Sequence, residues 1–470
     1  MLTEEQNHEL TRVGPGTPGG ELFRRYWQPI YPAESLDTNP VAPIRILGES
    51  LVLFKDRSGS LGLVDERCPH RQTSLALGIP EVEGLRCCYH GWLFDTRGNC
   101  LEMPLEPADG EFRCKVKIKS YPAQEMGGLI WAYLGPAPAP SLPRWDLYER
   151  PGGFRQMVGN RIPTNWLQVV ENQADPGHIP YGHGRFFQYA LEREAKLSDD
   201  PRTFYNASYA SAAALVKQGL HVQFRPIYND FGFTIGRKLS NQPDDVSSWN
   251  NGTGARIFPS MLSSGPGDIG RVVRRWYQVA VPMDDVSTWQ FQYFSYFFPD
   301  GVEVPEQSTV PYTELPLGHP DGSNILDYAL GQDIAIFKGQ GRIADRTTER
   351  LGANDSIVIA YRKLLQQQIE IVRSGKDPIN VFRESASANS PDLRIPGAET
   401  NLPPRNTHSM VPEPFHECPT GGRLMIDDVV DRYNRDRDLL VKLYAKSAEV
   451  LLEARLTKEC AQPGTNVSKT

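Results

Sequence analysis

No run in this sequence of 470 residues approaches the roughly 18 consecutive apolar residues of a membrane-spanning helix, so none is read as a span. Positive charge is in short supply: 50 Lys and Arg stand against 57 Asp and Glu, a formal net charge of -7. A nucleic-acid partner would call for a basic surface, and none is expected. The opening residues, MLTEEQNHEL, lack the charged-then-apolar pattern of a secretion signal. Cysteine is sparse and odd in number, seven in all, at spacings that suggest no disulfide framework. The expected setting is a reducing cytoplasm, where clustered thiols read as metal-binding or redox-active. A dinucleotide fingerprint is missing too. VGPGTPGG at 13–20 precedes the helical-looking ELFRRYW, but it has no strand before it and no βαβ pattern after it, and it reads as a turn.

What is present points to an α+β protein of two domains and an appendage. The length exceeds one ordinary core. Short β-rich runs broken by Gly and Asp, such as IRILGESLVLFKD and LGLVDERC, fill 40–134 and predict a small antiparallel β domain. A connector with five prolines, LGPAPAPSLPRWDLYERPGG, follows at 134–153. These signals divide the chain at 1–143, 144–372 and 373–470. The second part opens on the helical TNWLQVVENQADPGH, returns to strands over 200–300 and turns helical from about 327, so a broad antiparallel sheet flanked by helices is expected. In NDSIVIAYRKLL, Asn354 or Asp355 is a helix N-cap, with Ile357, Tyr361, Leu364 and Leu365 on the apolar face. The last part reads as loop over 373–420 and then a charged helix, IDDVVDRYNRDRDLLVKLYAKSAEVLLEARL.

Two clusters carry chemistry in the first part. Cys68 and His70 are one residue apart; sixteen residues follow, then the adjacent Cys87 and Cys88, and His90. Each loop offers thiolate and imidazole together. Zinc knuckles usually pair like with like. A Rieske [2Fe–2S] cluster, with one iron on two thiolates and the other on two imidazoles, takes one ligand of each kind from each loop. In the second part His178 and His183 are five apart, about 500° of rotation on an ideal helix, so they do not share a face of one. Gly177, Pro180 and Gly182 are placed to break or distort the helix and let both rings converge. Two imidazoles with one carboxylate make the facial site of non-haem Fe(II), open to O2 and substrate. Taken alone, H-x4-H is a weak signal.

C-x-H, sixteen residues, C-x-x-H-G-W, followed by N-W-x5-N-x2-D-x2-H-x4-H, resembles the large (alpha) subunit of the Rieske non-haem iron ring-hydroxylating oxygenases, in their phthalate-dioxygenase-like branch. RRWYQVAVPMDDVSTWQFQYF at 274–294 resembles the same branch. The resemblance selects Cys87 over Cys88, giving Cys68, His70, Cys87 and His90 as the [2Fe–2S] ligands. Cys88 is then a small half-buried side chain, Trp92 a shield for the cluster, and Cys100, Cys114, Cys418 and Cys460 structural. It implies mononuclear Fe(II) on His178, His183 and Asp333, the last in GQDIAIFKGQG at the opening of a helix, with Asp327 and Asp345 as rivals by position. Lys338 departs from the family, where an acidic residue is frequent. Asp175 is implied as an inter-subunit electron bridge to His70 or His90 of a neighbour, the alternative being a helix cap. Asn172 and Glu171 are candidates beside the iron, or ordinary helix-surface residues. A head-to-tail ring follows from such a bridge, a homotrimer or a dimer of trimers.

The implied activity is that of an oxygenase component: O2 and electrons hydroxylate a small organic molecule, by ring hydroxylation or oxidative O-demethylation of an aromatic acid or methoxy-aromatic. With no flavin or nicotinamide site in the sequence, electrons come from a separate reductase of flavin and ferredoxin type. The alternatives are a hydroxylase of a non-aromatic substrate such as a tertiary alcohol, a Rieske electron-transfer protein without oxygenase activity, and a zinc-stabilised binding module. An aromatic acid calls for a cation in the cavity. Arg225, Arg237, Lys238 and Arg256 are the basic candidates in the sheet region, each otherwise a solvated surface charge. Phe291, Tyr293 and Phe297 line either a cavity or ordinary core.

Overall fold

The computed structural model describes residues 1–107, 111–193, 212–269, 272–297, 307–326 and 329–383. The helix expected at 426–456 and the rival carboxylate Asp327 lie outside them. Among the described residues no helix is long and apolar enough to cross a membrane.

The first part is antiparallel β, in three small sheets. Val41–Ile46, Glu49–Lys55, Leu61–Asp65 and Ser120–Tyr121 form one sheet; Ile79–Glu81, Gly84–Arg86, Leu93–Phe94 and Cys100–Glu102 form another. Trp27–Pro32, Leu129–Tyr133 and Ala123–Met126 make the third. The first hairpin turns on Leu47 (φ 46°) and Gly48 (φ 76°), the paired positive angles that match strand twist in a two-residue loop. Its tip docks on the second part, where Leu47 and Gly48 donate to the carbonyls of Pro282 and Met283 at 3.1 and 2.9 Å.

The second part is an eight-stranded sheet in the order Val222–Asn229, Gly232–Leu239, Asn250–Ile257, Met261–Ile269, Val272–Asp284, Ser287–Phe297, Gly153–Ile162 and Tyr312–Glu314. It is antiparallel except for the last pairing, which is parallel. Its two faces do different work. Phe291, Tyr293 and Phe297 share one, where the Tyr293 hydroxyl donates to the Gly127 carbonyl at 2.8 Å and its ring meets Tyr148 at 4.7 Å. This face packs on the first part and the connector: Phe291 and Tyr293 are buried core, and Phe297 packs half-buried against it under Arg150.

The opposite face carries Thr288, Gln290 and Gln292, with Asn160, Gln278, Leu262 and Arg256 in register beside them. The helix Trp166–Ala174 crosses it diagonally. At its start Thr288 Oγ1 donates to the Thr164 carbonyl at 2.8 Å; at its end Arg256 reaches the Ala174 carbonyl at 3.5 Å. Two helices flank it, Ser356–Arg373 on the Val222–Asn229 side and Ala329–Gly339 on the other. Ile357, Tyr361, Leu364 and Leu365 are buried as their spacing predicts. The Asp355 side chain, however, turns back to accept from Gly352 N–H instead of capping the helix it precedes. The Gly-rich stretch differs as well: Thr17 caps a helix Pro18–Phe23 that starts inside it and ends before Arg24. Phe23 meets Trp166 edge-on at 4.6 Å, which ties these first residues to the helices of the second part.

Candidate active site

Cys68 and Cys87 come from two turns at the edge of the small β domain. Cys68 N–H donates to the Thr73 carbonyl at 2.9 Å, and Cys87 N–H to the Trp92 carbonyl at 2.8 Å. Gly91, at φ +76°, lets the second turn close; a Cβ there would stand 2.7 Å from Pro104. Both thiols are buried, and burial, followed by the neighbouring Cys87, pushes the Cys68 thiol up to about 11. Such a pair becomes thiolate only against cationic charge. His70 and His90 sit together on the outer side, rings 4.4 Å apart, with His70 stacked on the buried Trp92 at 4.7 Å. Around one zinc ion, tetrahedral donors would stand within about 4 Å of one another. Among the described residues only His178, His183 and Asp333 bring three such atoms within 4.8 Å. The loops therefore do not close on a single ion, whereas thiols inside and imidazoles outside suit a two-iron cluster. Cys88 is exposed, not half-buried: it lies in the turn that follows Cys87. Cys114 is exposed too, and Cys100 is buried; Cys418 and Cys460 lie outside the described residues.

The second centre is built by the chain that leaves the Trp166–Ala174 helix. Asn165 caps that helix through Leu167 N–H at 3.1 Å, and Asp175 ends it in an extended conformation. Asp175 is thus a C-terminal cap residue rather than a helix start. The Gly-Pro-Gly run does not simply break the next helix. It opens a π-helical turn, Pro180–Arg185, in which bonds run i→i+5 and place residues five apart one turn above another. His183 lies in that turn and His178 just before it, its carbonyl accepting from Gly182 N–H at 2.7 Å, and the two Nε2 atoms stand 3.2 Å apart. Two ring nitrogens each about 2.1 Å from one ion, at a near-right angle, would be about 3.0 Å apart.

Asp333 completes the group, with Oδ1 3.3 Å from His183 Nε2 and 3.8 Å from His178 Nε2. It is the fifth residue of the Ala329–Gly339 helix, not its opening, so a helix-terminus role does not explain it. Asn172, half-buried, donates from Nδ2 to the same Oδ1 at 3.3 Å. Asp345 is exposed and accepts from Thr347, while Lys338 pairs with Asn324 at 2.9 Å.

The partners of the outer ring nitrogens settle the tautomers. His178 Nδ1 lies 2.5 Å from the Asp175 carbonyl, which can only accept. Gln332, one residue before Asp333, directs Nε2 to the Leu326 carbonyl at 2.7 Å, leaving Oε1 to accept from His183 Nδ1 at 2.8 Å. Both Nδ1 atoms carry the proton, and both Nε2 lone pairs face Asp333, the donor set and orientation a metal requires. Gln332 was not singled out from the sequence; its only signal there is adjacency to Asp333.

Glu171 is not on the surface. It accepts from Arg346 Nη2 at 2.7 Å and Arg362 Nε at 2.6 Å, and Arg362 also meets Glu349. Burial raises its pKa, but the two guanidiniums outweigh that and hold the carboxyl below its ordinary range. Two basic candidates are also less exposed than expected. Lys238 is buried, 5.2 Å from the Trp249 ring, which Arg225 covers from 4.3 Å. Arg256 packs at the end of the iron-side helix; burial pulls it down to about 9 against the opposing charge of Asp175. Arg237 is exposed, as expected. Arg256, Val170, Gln173 and Tyr361 line one cavity together with Ala174.

Comparison with known proteins fits this geometry. Residues 26–122 match the Rieske [2Fe-2S] domain family, and residues 326–391 match a family described as LigXa C-terminal domain like. The chain is 37% identical to the 5,5'-dehydrodivanillate O-demethylase oxygenase subunit of Sphingobium sp. (strain NBRC 103272 / SYK-6), over 82% of this chain and 85% of that protein. It is 34% identical to the tert-butanol monooxygenase / tert-amyl alcohol desaturase oxygenase subunit of Aquincola tertiaricarbonis (81% and 79% covered). It is 30% identical to the phthalate 4,5-dioxygenase oxygenase subunit of Pseudomonas putida (81% and 89% covered). The solved structure of NdmA from Pseudomonas putida CBB5 shares the fold, with a TM-score of 0.52 at 20% identity over 77% of this chain and 94% of that one. The chain belongs to the Rieske non-haem iron oxygenases, as an oxygenase (alpha) subunit of the phthalate-dioxygenase-like branch whose cofactors are a Rieske [2Fe–2S] cluster and a mononuclear iron.

Proposed function

We propose that this oxygenase removes the methyl group of a methoxy-aromatic acid. The reading is supported above all by the convergence of His178, His183 and Asp333 in a chain 37% identical to an O-demethylase oxygenase subunit. Cys68 and Cys87 would hold one iron of the cluster and His70 and His90 the other; His178, His183 and Asp333 would hold the mononuclear ion. That iron supplies the binding and reductive activation of O2. The methyl ether, O2, two electrons and two protons give the phenol, formaldehyde and water, because a hydroxylated methoxy carbon is a hemiacetal and falls apart. The electrons come from a separate reductase of flavin and ferredoxin type.

The chain's own groups do the positioning. Asp175 and Gln332 fix the two imidazoles, and Asn172 steadies the Asp333 carboxylate. Asp175, its carboxylate partly open to solvent, is the bridge to His70 or His90 of a neighbouring copy, which makes the assembly a head-to-tail trimer or a dimer of trimers. The working division is 1–143 for the N-terminal segment and cluster, 144–372 for the iron domain and 373–470 for an extension; the setting is the cytoplasm. A tertiary alcohol is the second reading, favoured by the Aquincola relative. Incubation with a reductase of that type and NADH, O2 uptake and product being followed, decides between them. Formaldehyde released in step with O2 from 3-methoxybenzoates is expected; turnover of tert-butanol alone would overturn the aromatic reading.

A further inference from the structure

Trp92 is buried, and its ring joins two others: it stacks on His70 at 4.7 Å, and Phe112 meets it edge-on at 6.0 Å. Phe112 is 53% exposed. Two ring contacts thus connect a cluster ligand to an apolar side chain in solvent. The residues that follow Phe112 give this surface its charge. Arg113, Lys115, Lys117 and Lys119 put four cations into seven residues with no acid among them, in a chain whose net charge is -7. Val116 and Ile118, which alternate with the lysines, turn into the small core. Lys119 reaches Glu49, and Lys115 stands 3.4 Å from Glu111. Arg113 donates to the Leu101 carbonyl, and neither it nor Lys117 meets a carboxylate among the described residues. An apolar ring rimmed by charge of one sign is the make-up of a transient interface, in which the ring is covered and the charges steer the encounter.

We propose that Phe112 with Arg113, Lys115 and Lys117 is the docking surface for the reductase, taken by an acidic face around the [2Fe–2S] centre of its ferredoxin-type domain. This rests on the separate reductase of the proposed function and on no particular substrate. Charge selects the partner's sign. An acidic donor is repelled by the molecule as a whole and drawn only to a local run of cations. His70 is itself exposed, but in the reading above its surface and that of His90 face Asp175 of a neighbouring copy. The donor then needs another approach, and Phe112 offers one a single ring away from His70. The step moves one electron: the donor's reduced centre is oxidised and this chain's cluster is reduced. It runs downhill, since plant-type ferredoxin centres lie at lower potentials than Rieske centres.

The test uses the holoenzyme and an acidic plant-type [2Fe–2S] ferredoxin. Binding of the oxidised ferredoxin is read by calorimetry, and reduction of the Rieske centre by the photoreduced ferredoxin is read by freeze-quench EPR. Between about 20 and 300 mM salt the wild-type affinity should fall about ten-fold or more. Arg113→Glu with Lys117→Glu should weaken binding at low salt about ten-fold and flatten the salt dependence, because like charges then face the donor. Phe112→Ala should slow reduction within the bound complex. Methyl viologen radical, too small to need a docking surface, should reduce every variant at the wild-type rate, with the Rieske EPR signal unchanged. Should the double variant fold poorly, Lys117→Glu alone serves and should weaken binding about three-fold. No wild-type binding at low salt, binding that ignores salt, or variants that bind as the wild type does would overturn the proposal. So would an effect confined to Arg71→Glu, since Arg71 lies over Tyr89 beside His90 and would place the donor on the histidine surface. Formaldehyde release from 3-methoxybenzoates driven by methyl viologen reports on the demethylation reading separately, whichever surface the donor uses.

Discussion

His183 owes its orientation to one acceptor, Gln332 Oε1 at 2.8 Å, and His178 to the Asp175 carbonyl. Replacing Gln332 by Leu removes the first. The mononuclear iron should then bind about 10–100-fold more weakly, read as iron per chain after dialysis against a competing chelator. The cluster's EPR signal should not change. His178→Ala should go further, losing one of about three irons per chain and all turnover while the cluster signal persists. If the cluster signal went with it, the two centres would not be separate as assigned. At this scale Cys68, His70, His90, His178 and His183 stand out in the sequence through two short motifs, while the choice of Cys87 over Cys88 and the weight given to H-x4-H came from resemblance. Asp333 was reachable only through resemblance. Gln332 was not reachable, since its contact with His183 depends on an approach between distant segments that no local pattern encodes.

Helix termini and charged faces decide how firmly the segments that carry His178, His183 and Asp333 are held. Asn165 is fully buried; its Oδ1 caps the Trp166–Ala174 helix, and its Nδ2 donates to the Thr11 and Asp285 carbonyls at 2.8 Å each. Asn165→Ala removes a cap and strands two carbonyls, so a loss of about 2–4 kcal/mol is expected, seen as a lower denaturation midpoint. A change within error would mean that water replaces all three bonds. On the far side of the same helix, Glu171 pairs with Arg346 and Arg362. Its folded-state pKa lies below the ordinary 4.5, so its stabilisation is complete above that value and is lost as pH falls through the folded-state pKa. Glu171→Gln should lower the thermal midpoint at pH 7, by leaving two buried guanidiniums underpaired, and should flatten the acid side of the midpoint-against-pH curve. A variant with the wild-type acid slope would refute this. Glu171 looked like a surface residue in sequence because one helix position carries no information about what packs on it. The π-helical turn was half legible: Gly177, Pro180 and Gly182 announced a distortion, but not that it would widen the turn rather than break it.

Across the molecule, Cys68, His70, Cys87 and His90 lie among the small β-sheets, while His178, His183 and Asp333 lie on segments packed over one face of the eight-stranded sheet, whose other face packs on the first part. The β periodicity and the proline-rich connector made this two-part α+β plan readable. Which sheet face meets which partner was not readable, because an alternating strand offers both faces and only register and helix placement choose between them. The same plan bears on the proposed electron route through Asp175. If electrons cross from the cluster of one copy to the iron of the next, no chain needs both centres intact. Oligomers formed from equal amounts of a His178→Ala chain and a Cys87→Ser chain, each inactive alone, should then regain activity. In a ring assembled at random, a chain with an intact iron site follows one with an intact cluster in about a quarter of positions, so about a quarter of wild-type turnover is expected. Asp175→Asn in the chain that supplies the iron site should abolish the recovery without removing its iron. Mixed oligomers that stay inactive, with both metal centres measured present, would place the electron transfer within one chain and remove the reason for a head-to-tail ring.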